Sequence, residues 1–169
     1  PHRSKRVIRL TLLSPSFAIL LLASLGAVAA HAQQQFVPAQ SEIAFVSKQM
    51  GVAVEGRFKK FDAQVAFDPA KPHSGKIALT VDIASATLGS PETDSELPKS
   101  DWFHAARFPQ AIFQSSSIKA LGAGKFEVAG KLTIKGVSLD AVVPVALTQA
   151  GATTMAQGTF TLKRLAYKI

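Results

Sequence analysis

From Phe61 to Leu162, apolar residues recur at every second position within each run, the spacing that sends successive side chains to opposite faces of a strand. Phe61, Ala63, Val65 and Phe67 alternate with Asp62, Gln64 and Ala66, and Ile77, Leu79, Val81 and Ile83 alternate with Lys76, Ala78, Thr80 and Asp82. Phe126, Val128, Leu132 and Ile134 alternate with Glu127, Ala129, Lys131 and Thr133. Leu139, Ala141, Val143, Val145 and Leu147 continue the rhythm, as do Phe160 and Leu162. Turn formers separate the runs: the stretch from Asp68 to Gly75, Gly122-Ala123-Gly124, Lys135-Gly136 and Gly151. Each strand has one dry and one wet face, and short turns make the neighbours antiparallel. The fold class is all-β, an antiparallel meander of about eight strands that closes as a barrel or packs as a sandwich.

One segment breaks the rhythm. Residues 90–109 are too polar and too rich in proline for a strand, and they read as a loop with a short helical segment, Ser100 serving as N-cap and Pro109 as stop. Loops of this length in small domains tend to be lids or binding loops. Trp102, Phe103 and Phe108 form its apolar underside, either plugging a barrel end or anchoring the loop.

The first 32 residues have a different character. Arg3, Lys5, Arg6 and Arg9 precede an apolar stretch from Phe17 to Leu25, and Ala30-His31-Ala32 supplies a small-x-small tripeptide. That order is a secretory signal peptide over residues 1–32, cleaved after Ala32 to leave Gln33 first and to place the protein in the periplasm. The alternative, an uncleaved anchor over residues 10–29, is interrupted by Pro15. The remaining 137 residues, 33–169, are enough for one domain with one core. They carry 15 basic and 11 acidic side chains, a net charge of +4 against +8 for the whole chain. No basic run exceeds two residues, so nucleic acid is not an expected partner. There is no cysteine, so packing alone stabilises the domain.

Catalytic patterns are scarce. Only His73 and His104 remain after the leader; His73 sits in a turn, and His104 with Asp101, Glu92, Asp94 and Glu96 lacks the spacing of a calcium loop. No Gly-x-Ser-x-Gly elbow is present, and Gly130-Lys131-Leu132-Thr133 lacks the upstream glycine of a phosphate loop. The expectation is a protein that is not an enzyme, with no metal site and no cofactor beyond a bound lipid.

What remains is a surplus of apolar side chains: ten phenylalanines follow the leader, against one Trp and one Tyr. An eight-stranded barrel is just wide enough to be filled by side chains or to hold one slender ligand, and strands of eight to ten residues span about 30 Å. That length suits an extended lipid tail. The dry faces nominate Ile43, Phe45, Val54, Phe58, Phe61, Val65, Ile77, Val81, Phe113, Phe126, Val128 and Leu132 as wall residues, with Trp102, Phe103 and Phe108 from the loop. A solid core without a ligand, as in a sandwich acting as a stress or interaction module, fits the same pattern. A transmembrane barrel would need Trp and Tyr belts that this chain lacks.

Several motifs are more specific. Ser41-Glu42-Ile43-Ala44-Phe45 and the stretch Met50-Gly51 to Phe61 resemble the opening of the YceI-like family of exported lipocalin-like proteins. Leu97-Pro98-Lys99-Ser100-Asp101-Trp102-Phe103, Phe108-Pro109-Gln110-Ala111 and Gly130 to Val137 resemble its central signatures. The resemblance covers Phe36 to Ile169. It implies an extended eight-stranded antiparallel barrel, periplasmic or secreted, holding a polyisoprenoid such as a quinone tail. A fatty-acid or fatty-amide carrier of the same fold is the alternative. A quinone-tailed ligand would bring in a membrane-associated redox partner. Met50 and Glu96 stand where many relatives carry histidine, and the chain stops before the family's last strand, which leaves an unpaired edge open to a homodimer.

Overall fold

The computed structural model describes residues 3–13, 35–151 and 153–169. The strands are β1 (Arg3–Leu13), β2 (Gln35–Phe36), β3 (Glu42–Gln49), β4 (Val52–Phe58), β5 (Phe61–Ala66), β6 (Lys76–Asp82), β7 (Ala86–Thr87), β8 (Gln110–Gly122), β9 (Lys125–Ile134), β10 (Val137–Ala150) and β11 (Thr153–Lys163). They form a single antiparallel sheet in the order β5-β6-β8-β9-β10-β11-β1-β3-β4-β7, with β2 added on β1. The sheet curls into a lipocalin-like barrel, as its amphipathic strands require.

Local chemistry accounts for the hairpins. At Met50-Gly51, Ala123-Gly124 and Lys135-Gly136 both residues have positive φ, the conformation whose twist matches that of the flanking strands. Strands β4 and β5 do not pair with each other. They meet at Lys59-Lys60, where the Lys59 N–H donates to Ser85 O and the Asp82 N–H donates to Lys60 O, joining the ends of the sheet at a corner. The interior holds one contiguous apolar cluster, in which Phe58, Ile43 and Ile134 are the largest wholly enclosed side chains. The outer face carries charged and polar side chains beside a few exposed apolar ones: Asp62, Gln64, Lys119, Glu127, Lys131 and Asp140 are exposed, as are Val142 and Met155, with Lys131 Nζ 2.9 Å from Asp140 Oδ1 across β9 and β10. A membrane-spanning barrel presents the opposite arrangement, an apolar outside. Among the described residues no helix is long and apolar enough to cross a membrane.

One local expectation needs correction, and one strand shows an irregularity of its own. The helical turn of the long loop is Pro91–Glu96, with Ser90 as N-cap, rather than a helix starting at Ser100. Pro91 fixes a helical φ at the first position, and Glu92 and Asp94 sit where the helix dipole favours negative charge. Strand β8 also departs from strict alternation. Register shifts between Ser115 and Ser117 and between Ala120 and Gly122 are bulges that change which side chains face inward.

The edge expected to be open is occupied. Arg3–Leu13, part of the segment expected to be a leader, pairs with β11 at eleven positions and with β3 at five. The apolar run Phe17–Leu25 and the expected cleavage point after Ala32 lie outside the described residues.

Candidate functional site: an apolar cavity inside the barrel

The central cavity lies on the inward faces of β3, β5, β6, β8, β9, β10 and β11. It measures about 100 Å³. Every residue lining it is apolar. β11 contributes its small residues Ala156 and Gly158 to this wall, and β8 and β9 contribute the rings of Phe113 and Phe126. Phe126 is held at a right angle to Phe67, ring centroids 5.1 Å apart.

Eight of the sequence-nominated residues line this cavity: Ile43, Val65, Ile77, Val81, Phe113, Phe126, Val128 and Leu132. Phe45, Val54, Trp102 and Phe103 line a second, smaller cavity of about 40 Å³ further along the inward faces of β3 and β11, toward the long loop and the C-terminal residues. Phe58 lies at the junction, 5.3 Å from the Phe45 ring and 6.3 Å from the Phe103 ring. Phe61 packs against Phe36 at 5.8 Å and lines neither cavity. Phe108 is also outside both. It covers Gly136, where an added Cβ would lie 2.8 Å from its ring, and it fastens the loop to the β9–β10 turn. Trp102 and Phe103 therefore close one barrel end, whereas Phe108 is an anchor.

The sequence did not single out the remaining wall residues. Phe67, Leu79, Val143, Val145, Leu147 and Phe160 belong to recognised alternating runs, but alternation gives a face and not a depth. Ile118 faces inward because of the bulge at Ser115–Ser117, which shifts the parity of β8.

The closed end is built by polar ties. Lys135 Nζ donates to Ser100 O and to Lys168 O, each at 2.8 Å, pinning the loop and the C-terminal residues to the β9–β10 turn. Asp94 accepts from the Thr87 hydroxyl and from the Leu88 N–H, both at 2.6 Å. These two bonds, Thr87 first, hold its carboxyl below the ordinary aspartate value. Leu88, set by that clamp, lines the smaller cavity. Glycine at position 56 lets Phe45 lie flat across β4, since a Cβ there would fall 2.4 Å from the Phe45 ring. His104 meets the Phe108 ring edge-on at 5.8 Å, and among the described residues no three His, Cys, Asp or Glu side chains gather as metal ligands would.

An antiparallel barrel with a charged exterior and a cavity walled only by hydrocarbon belongs to the class of folds that enclose apolar molecules. Comparison with known proteins agrees. Residues 35–169 match the YceI-like domain, and the chain belongs to that family. A UPF0312 protein of Azotobacter vinelandii is 30% identical over 138 residues, covering 78% of this chain and 72% of that protein. Protein YceI of Escherichia coli O157:H7 is 32% identical over 132 residues, covering 76% and 67%. Among solved structures, BcnA of Burkholderia cenocepacia superposes with a TM-score of 0.76 at 46% identity, covering 79% of this chain and 84% of that one. The YCEI protein of Campylobacter jejuni superposes at 0.61 with 28% identity, covering 72% and 75%.

Proposed function

We propose that the protein is an exported periplasmic binding protein that holds a long apolar lipid, a polyisoprenoid such as a quinone tail, for transport, storage or protection, and that it is not an enzyme. The observation that carries this reading is the wall of the central cavity, which offers no hydrogen-bonding side chain to a polar metabolite. At about 100 Å³ the cavity is smaller than the roughly 300–1,000 Å³ of ordinary ligand sites. A long chain must therefore enter by turning wall side chains aside, and Phe67, Phe113, Phe126 and Phe160 are the large movable ones. The modest volume favours one second reading, a fatty-acid or fatty-amide carrier, whose chain is slimmer than a branched isoprenoid. A quinone cargo would call for a membrane-associated redox partner.

Organic extraction of protein purified from the periplasm, followed by mass spectrometry, tests the reading. An isoprenoid lipid at near-stoichiometric yield is expected, and a fatty acid or amide would select the second reading. If no lipid copurifies and no added isoprenoid raises the thermal midpoint of the extracted protein, the interior is a solid core and the proposal fails.

A further inference from the structure

The smaller cavity, unlike the central one, has polar side chains in its wall, Ser47 and a cation, Arg164. Arg164 follows the last residue of β11 and lines this cavity with Phe45, Ser47, Val54 and Leu162. Its guanidinium carbon lies 5.1 Å from the centre of the Trp102 ring. Among the described residues, Arg164 Nε is the buried side-chain nitrogen that has no hydrogen-bond partner. A buried donor left unpaired is costly, and such groups are rare unless water or a ligand completes them.

The position of this donor is informative. Along β11, Ala156, Gly158 and Phe160 line the central cavity and Leu162 lines the smaller one, with Arg164 just beyond. Along β3, Ile43 lines the first, and Phe45 and Ser47 line the second. The two cavities are thus consecutive along the barrel, with Phe45 and Phe58 between them. A chain that fills the hydrocarbon-walled cavity and passes these two rings would bring its end group to Arg164.

We infer that Arg164 is a headgroup-recognition residue: its Nε–H donates to an oxygen on the polar end of the lipid, the tail of which occupies the central cavity. This rests on the lipid reading above and adds a polarity to it, with the head at the loop-covered end. A guanidinium on the face of an indole suits a planar, oxygen-bearing ring such as a quinone, because Trp102 and Phe103 offer flat apolar surfaces beside the donor. A water molecule at Nε is the competing occupant, and a cavity of about 40 Å³ has room for one.

Trp102 is the only tryptophan in the chain, so its fluorescence reports on this cavity alone. The test uses delipidated protein purified from the periplasm and two probes, a benzoquinone carrying a short isoprenoid tail and an isoprenoid hydrocarbon of matching length. Titration is followed by Trp102 emission and by the thermal midpoint. The wild type is expected to bind the quinone about ten-fold more tightly than the hydrocarbon, as one hydrogen bond to a charged donor provides, and the quinone is expected to quench Trp102. Arg164→Met should bring quinone affinity down to the affinity of the same variant for the hydrocarbon. Arg164→Lys keeps the charge and much of the stem but not the Nε donor, and it should lose the same preference even if the Met variant folds poorly. Wild-type protein that binds both probes equally, or Arg164 variants that keep the ten-fold preference, would overturn this inference while leaving the lipid reading intact. Binding of neither probe by the wild type would overturn both.

Discussion

Filling the central cavity by mutation should raise stability and abolish binding together, a combination that a solid core cannot produce. Ala156 is buried on β11, pairs with Leu147, and lines the cavity. Ala156→Leu adds three carbons pointing into the void, worth about 0.8 kcal/mol each, or about 2.4 kcal/mol. The cavity itself gives the same ceiling, since about 100 Å³ at about 24 cal/mol per Å³ is about 2.4 kcal/mol. Imperfect fit reduces the gain, so delipidated Ala156→Leu is expected to be about 1 to 2 kcal/mol more stable than delipidated wild type, with a midpoint several degrees higher. Wild type held at one hundred times its dissociation constant of lipid gains about 2.7 kcal/mol. The variant should therefore sit between empty and loaded wild type and respond little to added lipid. Calorimetry of loaded and extracted samples, beside lipid content by mass spectrometry, makes the measurement. A loss of about 1 to 3 kcal/mol instead would be the signature of overpacking and would show that no void exists there. A gain in stability with undiminished lipid content would show that the lipid sits elsewhere.

Four further outcomes are expected. Gly56→Val should displace the Phe45 ring, which lies 2.4 Å from the position of an added Cβ, and cost about 1 to 3 kcal/mol in urea unfolding, the penalty of overpacking. Because the clamp on Asp94 lowers its folded pKa below the unfolded value of 3.8, its contribution is complete above that value and is lost as pH falls through the folded pKa; Asp94→Asn should remove this part of the acid dependence, as read from thermal midpoints below about pH 4. N-terminal sequencing of exported protein should begin at Gln33, and a mature form beginning near Pro1 would instead favour a membrane anchor. Residues 33–169 prepared alone lose the eleven pairs that β1 makes with β11 and should form dimers through the bared edge, measured by light scattering against residues 1–169; two equally monomeric forms would refute this.

Much of the barrel was legible because a strand writes its burial into the chain with a period of two, and the hairpins write theirs as a residue and a glycine. Ile77, Leu79 and Val81, and Phe126, Val128 and Leu132, could be assigned to the dry face from alternation alone, and residue pairs such as Lys135-Gly136 fixed where the chain reverses. The order of motifs from Ser41 to Val137 identified the family without any coordinates. Alternation is a local property, however, and whether a dry face meets another side chain or a void depends on what the opposite wall contributes. Ile134 and Phe126 follow the same rhythm on one strand, yet Ile134 is fully enclosed in packed core while Phe126 borders the cavity, a difference that only the packing of the other strands decides. Ile118 became a wall residue through a bulge, which changes parity without any mark in the apolar pattern. The unpaired nitrogen of Arg164 was invisible for the same reason. A basic residue after a strand reads as solvated surface until the loop at Trp102 and the inward faces of β3 and β11 close over it, and only that long-range packing turns an ordinary arginine into a buried donor without a partner.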